Sequence, residues 1–180
     1  MRIVLDTCVI YPTVMREMLL GAARLGHFKP LWSARILEEW ARAAVKLGPQ
    51  GEAQARAEIA LLRAAWPGSE LPAAPGLQAR LWLPDEADVH VLAVAVAGST
   101  DAIMTVNRRD FPRDALASEG VLRLEPDGFL YDLWLRDPEG MRHVGETVLA
   151  EANRLSGQTW DIRGLMKKAR LPRLGKALSR

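Results

Sequence analysis

The 180-residue chain is 49% hydrophobic and 26% charged with a formal net charge of +2, a balance that argues against both a disordered segment and a membrane-embedded protein. Its length suits one full domain with a core of its own and a small appendage, and it excludes two large domains. The longest apolar run, Val91 to Ala97, falls far short of the roughly 20 residues a membrane-crossing helix requires. Asp6 stands where a signal peptide keeps an uncharged apolar region, and Cys8 is the only cysteine, so no intrachain disulfide forms. A soluble, cytoplasmic protein is the expectation.

Ile3 to Leu5 reads as a short buried strand, followed by a helix over 13–26 that stops at Gly26. Phe28 to Trp32 reads as a second strand. Ser33 then caps a helix that carries Ile36, Leu37, Trp40, Ala43 and Ala44 on one side. Gln50 to Trp66 is helical until Pro67 and Gly68 stop it, and Ala79 to Leu83 is expected to be a strand before Pro84. A helix from His90 to Ala97 opens at Asp85 or Asp88, and Ala102 to Val106 and Val121 to Leu124 are the last strands. Strands alternating with helices predict an α/β three-layer domain with a mainly parallel sheet.

Glu125, Pro126, Asp127 and Gly128 break that alternation, which puts a boundary near residue 125. Residues 1–125 form the expected α/β domain and 126–180 a helical extension, with helices over 129–135, 138–155 and 160–171. The extension is basic from Arg154 onward, where seven further Lys and Arg residues face only Asp161. Such a patch suits nucleic acid or an acidic partner, or else a solvated helix face.

Acidic residues fall at particular places along this pattern. Asp6 follows the first strand, Asp110 follows the strand that ends at Val106, and Asp88 opens the helix before that strand. In open α/β sheets, sites form beyond the carboxyl ends of the strands. Carboxylates gathered there repel one another, and a divalent cation removes the conflict. Oxygen ligands without His or Cys suit Mg²⁺ or Mn²⁺, and such ions suit hydrolysis of a phosphodiester by water attacking in line. Arg108 and Arg109, between Asn107 and Asp110, would lie beside the phosphate.

Several of these residues also have plainer readings. Asp85 is expected chiefly as a helix cap, His90 as a partly exposed structural residue, and Cys8 as a small buried group. The six tryptophans are expected to anchor the core or an interface. An aspartyl-phosphate phosphohydrolase would need an acid where Cys8 stands. A receiver domain would need paired acids before the first helix.

Leu5-Asp-Thr-Cys-Val-Ile10, Leu37-Glu-Glu-Trp40, Asp88-Val-His-Val-Leu-Ala93 and Thr105-Val-Asn-Arg-Arg-Asp-Phe-Pro112 resemble the spaced motifs of PIN-domain ribonucleases. The resemblance covers residues 1–125. Residues 127–130 and 164–174 are similar to the C-terminal extension of some VapC-type toxins. It implies catalytic acids at Asp6, Glu39, Asp88 and Asp110, with metal held by Asp6, Asp88 and Asp110 and the pocket supported by Thr105 and Asn107. Glu39 is preferred to Glu38 because Trp40 fills the bulky apolar position after the family's glutamate. Whether Asn107 or Asp110 is the fourth site residue stays open, and Cys8 departs from the family's asparagine. The implied protein is a Mg²⁺- or Mn²⁺-dependent endoribonuclease, the toxin of a type II toxin-antitoxin pair, with an RNA substrate, a cognate antitoxin and a homodimeric state. The rival is a PIN-like domain with a decayed pocket that binds RNA or a protein partner.

Overall fold

The structure, a computed structural model, describes residues 1–180. Five strands, β1 (Arg2–Leu5), β2 (Lys29–Ser33), β3 (Glu70–Leu71), β4 (Ala102–Met104) and β5 (Leu122–Leu124), form one sheet in the order β3-β2-β1-β4-β5. β1 is central because Ile3, Val4 and Leu5 are all fully buried, as a parallel strand covered on both faces must be. It pairs in parallel with β2, Val4 opposite Leu31, and with β4, Val4 opposite Ile103.

Pro30 lies inside β2 at no cost to the ladder. Lys29 donates its N–H toward β1 (to the Met1 carbonyl, 2.8 Å) and Trp32 donates toward β3 (to the Ser69 carbonyl, 3.0 Å). The N–H that Pro30 lacks would therefore have pointed to the β3 side, where pairing begins only at Trp32.

Helices α1 (Thr7–Ile10) and α2 (Thr13–Arg24) follow β1, and α3 (Ala34–Ala44) and α4 (Gly51–Ala65) follow β2. Ser33 caps α3 by accepting the Ile36 N–H at 3.3 Å, and the helix buries Ile36, Leu37, Trp40, Ala41 and Ala44. α5 (Pro75–Arg80), α6 (Val89–Ala97) and α7 (Arg113–Ala117) complete this part of the chain. α6 is buried from Val89 to Ala95, which its uniformly apolar sequence demands.

The chain divides into two compact units, Met1–Tyr11 with Lys29–Arg123 and Pro12–Phe28 with Leu124–Arg180. The second unit holds α2 together with α8 (Pro126–Arg136), α9 (Pro138–Ser156), α10 (Ile162–Lys168) and α11 (Pro172–Leu178). Gly21 allows α2 to approach Val144 of α9, where an added Cβ would collide with the valine side chain. Phe28 meets Phe129 edge-on at 5.3 Å, and both Asp127 carboxylate oxygens accept backbone N–H groups at the start of α11, from Arg173 and Leu174 at 3.0 Å. No helix is long and apolar enough to cross a membrane.

Three local expectations are corrected. Residues 79–83 do not form a strand: Pro75, preset at the first turn of a helix, starts α5, and the chain then runs irregularly from Leu81. The strand that does lie beyond β2 is the two-residue β3, too short to carry a periodic signal. The expected helix over 160–171 is shorter, α10 ending at Lys168 before Arg170 takes a left-handed φ of 61°, and Pro172 opens a further helix, α11, that was not expected.

Ile103 is fully buried opposite Val4 in the middle of the sheet. Ile103→Ala is expected to lower unfolding free energy by about 2–5 kcal/mol, read as a lower urea midpoint at unchanged slope. A loss below about 1 kcal/mol would contradict this placement of the core.

Candidate active site

The strand register brings the first pair of site residues together. Leu5 of β1 is opposite Met104 of β4, so Asp6 and Thr105 leave the sheet side by side. The Asp6 N–H donates to the Met104 carbonyl at 3.1 Å, and Thr105 Oγ1 donates to Asp6 Oδ2 at 2.8 Å. Asp6 also stands at the start of α1, but its side chain makes no capping bond there. Cys8 Sγ donates to the same Asp6 Oδ2 at 2.9 Å and accepts the Val106 N–H at 3.4 Å. The thiol thus acts as a hydrogen-bonding partner of the aspartate, which its reading as a plain apolar filler did not anticipate.

A second group of carboxylates forms where α6 begins. Asp85 caps the short 3-10 turn Glu86–Asp88 by accepting the Ala87 N–H at 2.9 Å, and Asp88 follows at the first position before α6. Asp85, Asp88 and Asp110 bring one carboxylate oxygen each to within 4.8 Å of one another. Asn107 links two of them, donating from Nδ2 to Asp110 Oδ2 at 2.7 Å and to Asp88 Oδ2 at 3.4 Å. Its own N–H donates to Thr105 Oγ1 at 3.0 Å, so the two groups share one hydrogen-bonded chain. Asp85 therefore caps, as expected, and also joins the acid cluster.

Glu38 and Glu39 point to different sides of α3, as successive helical residues must. Glu38 is turned outward to Arg42 and Arg56, whose guanidinium groups hold its carboxyl down at about 2. Glu39 Oε2 accepts Thr7 Oγ1 at 2.7 Å, while Oε1 lies 2.8 Å from His90 Nε2 and 3.4 Å from Arg35 Nε. His90 is 4% exposed, which corrects its reading as a partly exposed residue. Neither of its ring nitrogens completes a well-aligned hydrogen bond, so the Glu39 contact is close but bent.

The charges in this region are under strain. Burial raises the Asp6 carboxyl above its usual range, against the hydrogen bonds from Cys8 and Thr105. Asp88 is pushed up to about 6, first by burial and then by Asp6, Asp85, Asp110 and Glu39. Burial also pulls Glu39 upward, but His90, Thr7 and Arg35 together outweigh it and leave the carboxyl low. The Cys8 thiol is pushed up to about 12 by burial and by Asp6, so it stays protonated and keeps donating. Hard oxygen donors converging around an aspartate that resists ionisation fit a divalent cation of the Mg²⁺ class.

Arg108 and Arg109 are exposed on the turn between Asn107 and Asp110. Sequence reasoning passed over Thr7 and understated His90. A threonine beside the first aspartate is a weak signal, and a histidine on an apolar helix looks like core until tertiary structure sets it against Glu39.

Two predictions follow from this geometry. A carboxyl raised in the folded state favours folding below its unfolded value, and that contribution is lost as pH rises through the folded value. Without metal, Asp88 should therefore lower stability between about pH 4 and pH 6.5. Asn suits a helix start as well as Asp, so Asp88→Asn isolates the charge. It should flatten this decline and melt higher than the parent at about pH 7 in chelator; a lower melting temperature there would contradict the repulsion. For the His90 contact, a double-mutant cycle of His90→Leu with Glu39→Gln should show a coupling of about 0.5–3 kcal/mol in unfolding free energy. Additive losses would mean that the two side chains do not interact.

Comparison with known proteins gives one match. The PIN domain family model matches residues 2–109, more than half of the chain and the stretch that contains Asp6, Glu39, Asp88, Thr105 and Asn107. No curated protein and no solved structure gives a significant match. With a parallel α/β sheet, acids at the strand ends and this match, the chain belongs to the PIN domain family.

Proposed function

We propose that this protein is a Mg²⁺- or Mn²⁺-dependent endoribonuclease, the toxin of a type II toxin-antitoxin pair. PIN domains are generally nucleases and typically use divalent metals. The observation that carries the reading is the convergence of Asp85, Asp88 and Asp110, linked through Asn107 and Thr105 to Asp6 at the end of β1, with Asp88 pushed up to about 6. A bound divalent cation would supply charge neutralisation and water activation for in-line hydrolysis of a phosphodiester.

In this reading Asp6, Asp88 and Asp110 hold the ion. Thr105 and Cys8 fix the rotamer of Asp6 through two donated hydrogen bonds, and Asn107 spaces Asp88 from Asp110. Glu39, kept ionised by Thr7, His90 and Arg35, accepts a proton from water or orients it. Arg108 and Arg109 attract the substrate backbone. The hydrogen bond from Cys8 favours a working pocket over a decayed one, since the position still serves Asp6. The toxin assignment, the antitoxin, the homodimer and the RNA preference rest on the resemblance to VapC-type toxins. The basic residues after Arg154 make residues 126–180 the proposed contact surface for RNA or the antitoxin.

The test uses purified protein and single-stranded RNA with Mg²⁺ or Mn²⁺. Cleavage is expected in the parent, and Asp6→Asn should lower the rate on the order of 100-fold, since even partners of metal ligands contribute 10–100-fold. Mn²⁺ at about 100 times its Kd should stabilise the parent by about 2.7 kcal/mol and the variant far less. Cleavage by Asp6→Asn at the parent rate in saturating metal would contradict the assignment.

A further inference from the structure

Just before the acid cluster the chain leaves α5 and runs through Leu81, Trp82, Leu83 and Pro84, with Leu83 buried and Trp82 and Pro84 exposed. This segment, α5 and the start of α6 enclose a groove of about 630 Å³, walled by Leu81, Trp82, Pro84 and Val89 and bearing the polar side chains of Gln78 and Glu86. Trp82 is 69% exposed, whereas Trp32 and Trp40 are buried in the core. The indole thus forgoes the free energy that burial would give it, and its aromatic body lies open beside a groove with an amide and a carboxylate at its edge.

Two features identify an occupant. The groove adjoins the site along the chain: wall residues Glu86 and Val89 are sequence neighbours of Asp85 and Asp88 of the acid cluster. A group seated here lies close enough to the carboxylates to belong to the same extended molecule as one that reaches them. Glu86 repels a phosphate but accepts a hydrogen bond from an exocyclic amino group, and Gln78 both donates and accepts. The chemistry asks for a flat, neutral, aromatic group with hydrogen-bonding edges, carried on a polyanion.

We infer that this groove receives an unstacked nucleobase of the strand being cleaved, with the Trp82 indole as its stacking platform and Gln78 and Glu86 reading its edge. The inference rests on the nuclease reading and assigns part of its substrate recognition. It makes the substrate a single strand, because a base within a duplex has no free face to offer.

The experiment measures binding of fluorescein-labelled single-stranded RNA by anisotropy, using the full chain with Asp110→Asn to prevent cleavage. A parallel series carries one abasic nucleotide at successive positions. Trp82→Ala should weaken binding by about 5- to 150-fold, the range for one stacked base, and Trp82→Phe should restore most of it. One abasic position should cost the parent the same factor and cost Trp82→Ala nothing more. Equal binding by Trp82→Ala, abasic losses that multiply with it at every position, or conversion of a dimer to a monomer in sedimentation would each overturn the inference. Thermal stabilisation by Mn²⁺ and cleavage, measured without Asp110→Asn, separate the two readings. If both persist while Trp82 is indifferent, the groove assignment falls and the nuclease stands. If neither is seen, the nuclease reading itself falls.

Discussion

Leu5 and Met104 are partners across two parallel strands, and the residues that follow them, Asp6 and Thr105, inherit that pairing where the strands leave the sheet. From β1 the chain builds outward to β2 and β3 on one side, then returns to build β4 and β5 on the other. Parallel strands that diverge in this way leave a crevice at their carboxyl ends. A slip of one residue between β1 and β4 would separate Asp6 from Thr105 and turn their side chains to opposite faces. The fully buried row Ile3, Val4, Leu5 against Ala102, Ile103, Met104 prevents that slip, so the apolar core fixes the geometry of the charged site.

The site in turn works against the fold. Asp6 is nearly sealed from water, and Asp88 is pushed up to about 6 by its own burial and then by four other carboxylates. Hydrogen bonds offset only part of this. Thr105 and Cys8 serve one oxygen of Asp6, Asn107 lies between Asp88 and Asp110, and Thr7 and His90 hold Glu39. Thr105, Cys8, Asn107 and Thr7 are neutral, so each orients a carboxylate without cancelling its charge. Arg35, 3.4 Å from Glu39, is the cation at the edge of this arrangement. The local structure is accordingly suited to a positive charge, whose binding would offset the electrostatic cost.

Much of the sheet could be read from the chain because its strands are short apolar runs bounded by polar residues and turn formers. Ile3 to Leu5 and Ala102 to Met104 carry that signal clearly, and Asp6 and Asp110 stand just beyond them. β3 could not be read this way, since two residues define no period, and Ala79 to Leu83 misled because an apolar run before a proline fits a strand or the end of a helix equally well. In the site, Asp85 reads chiefly as a cap, because capping is local and clustering is not. His90 and Thr7 act through Glu39, 51 and 32 residues away in sequence, and no local pattern records such a meeting. The association of α2 with the C-terminal helices was hidden for the same reason: it depends on Gly21 meeting Val144, a tertiary contact.

The central claim is that folding gathers these acids into one cradle for a divalent cation. Diffraction from crystals grown with Mn²⁺, recorded at the manganese absorption edge, tests it most directly. An anomalous peak is expected within coordination distance of the Asp88 and Asp110 carboxylates and on the side of the crevice that Asp6 faces. A saturated crystal with no peak there, or with manganese bound only elsewhere on the molecule, would contradict it.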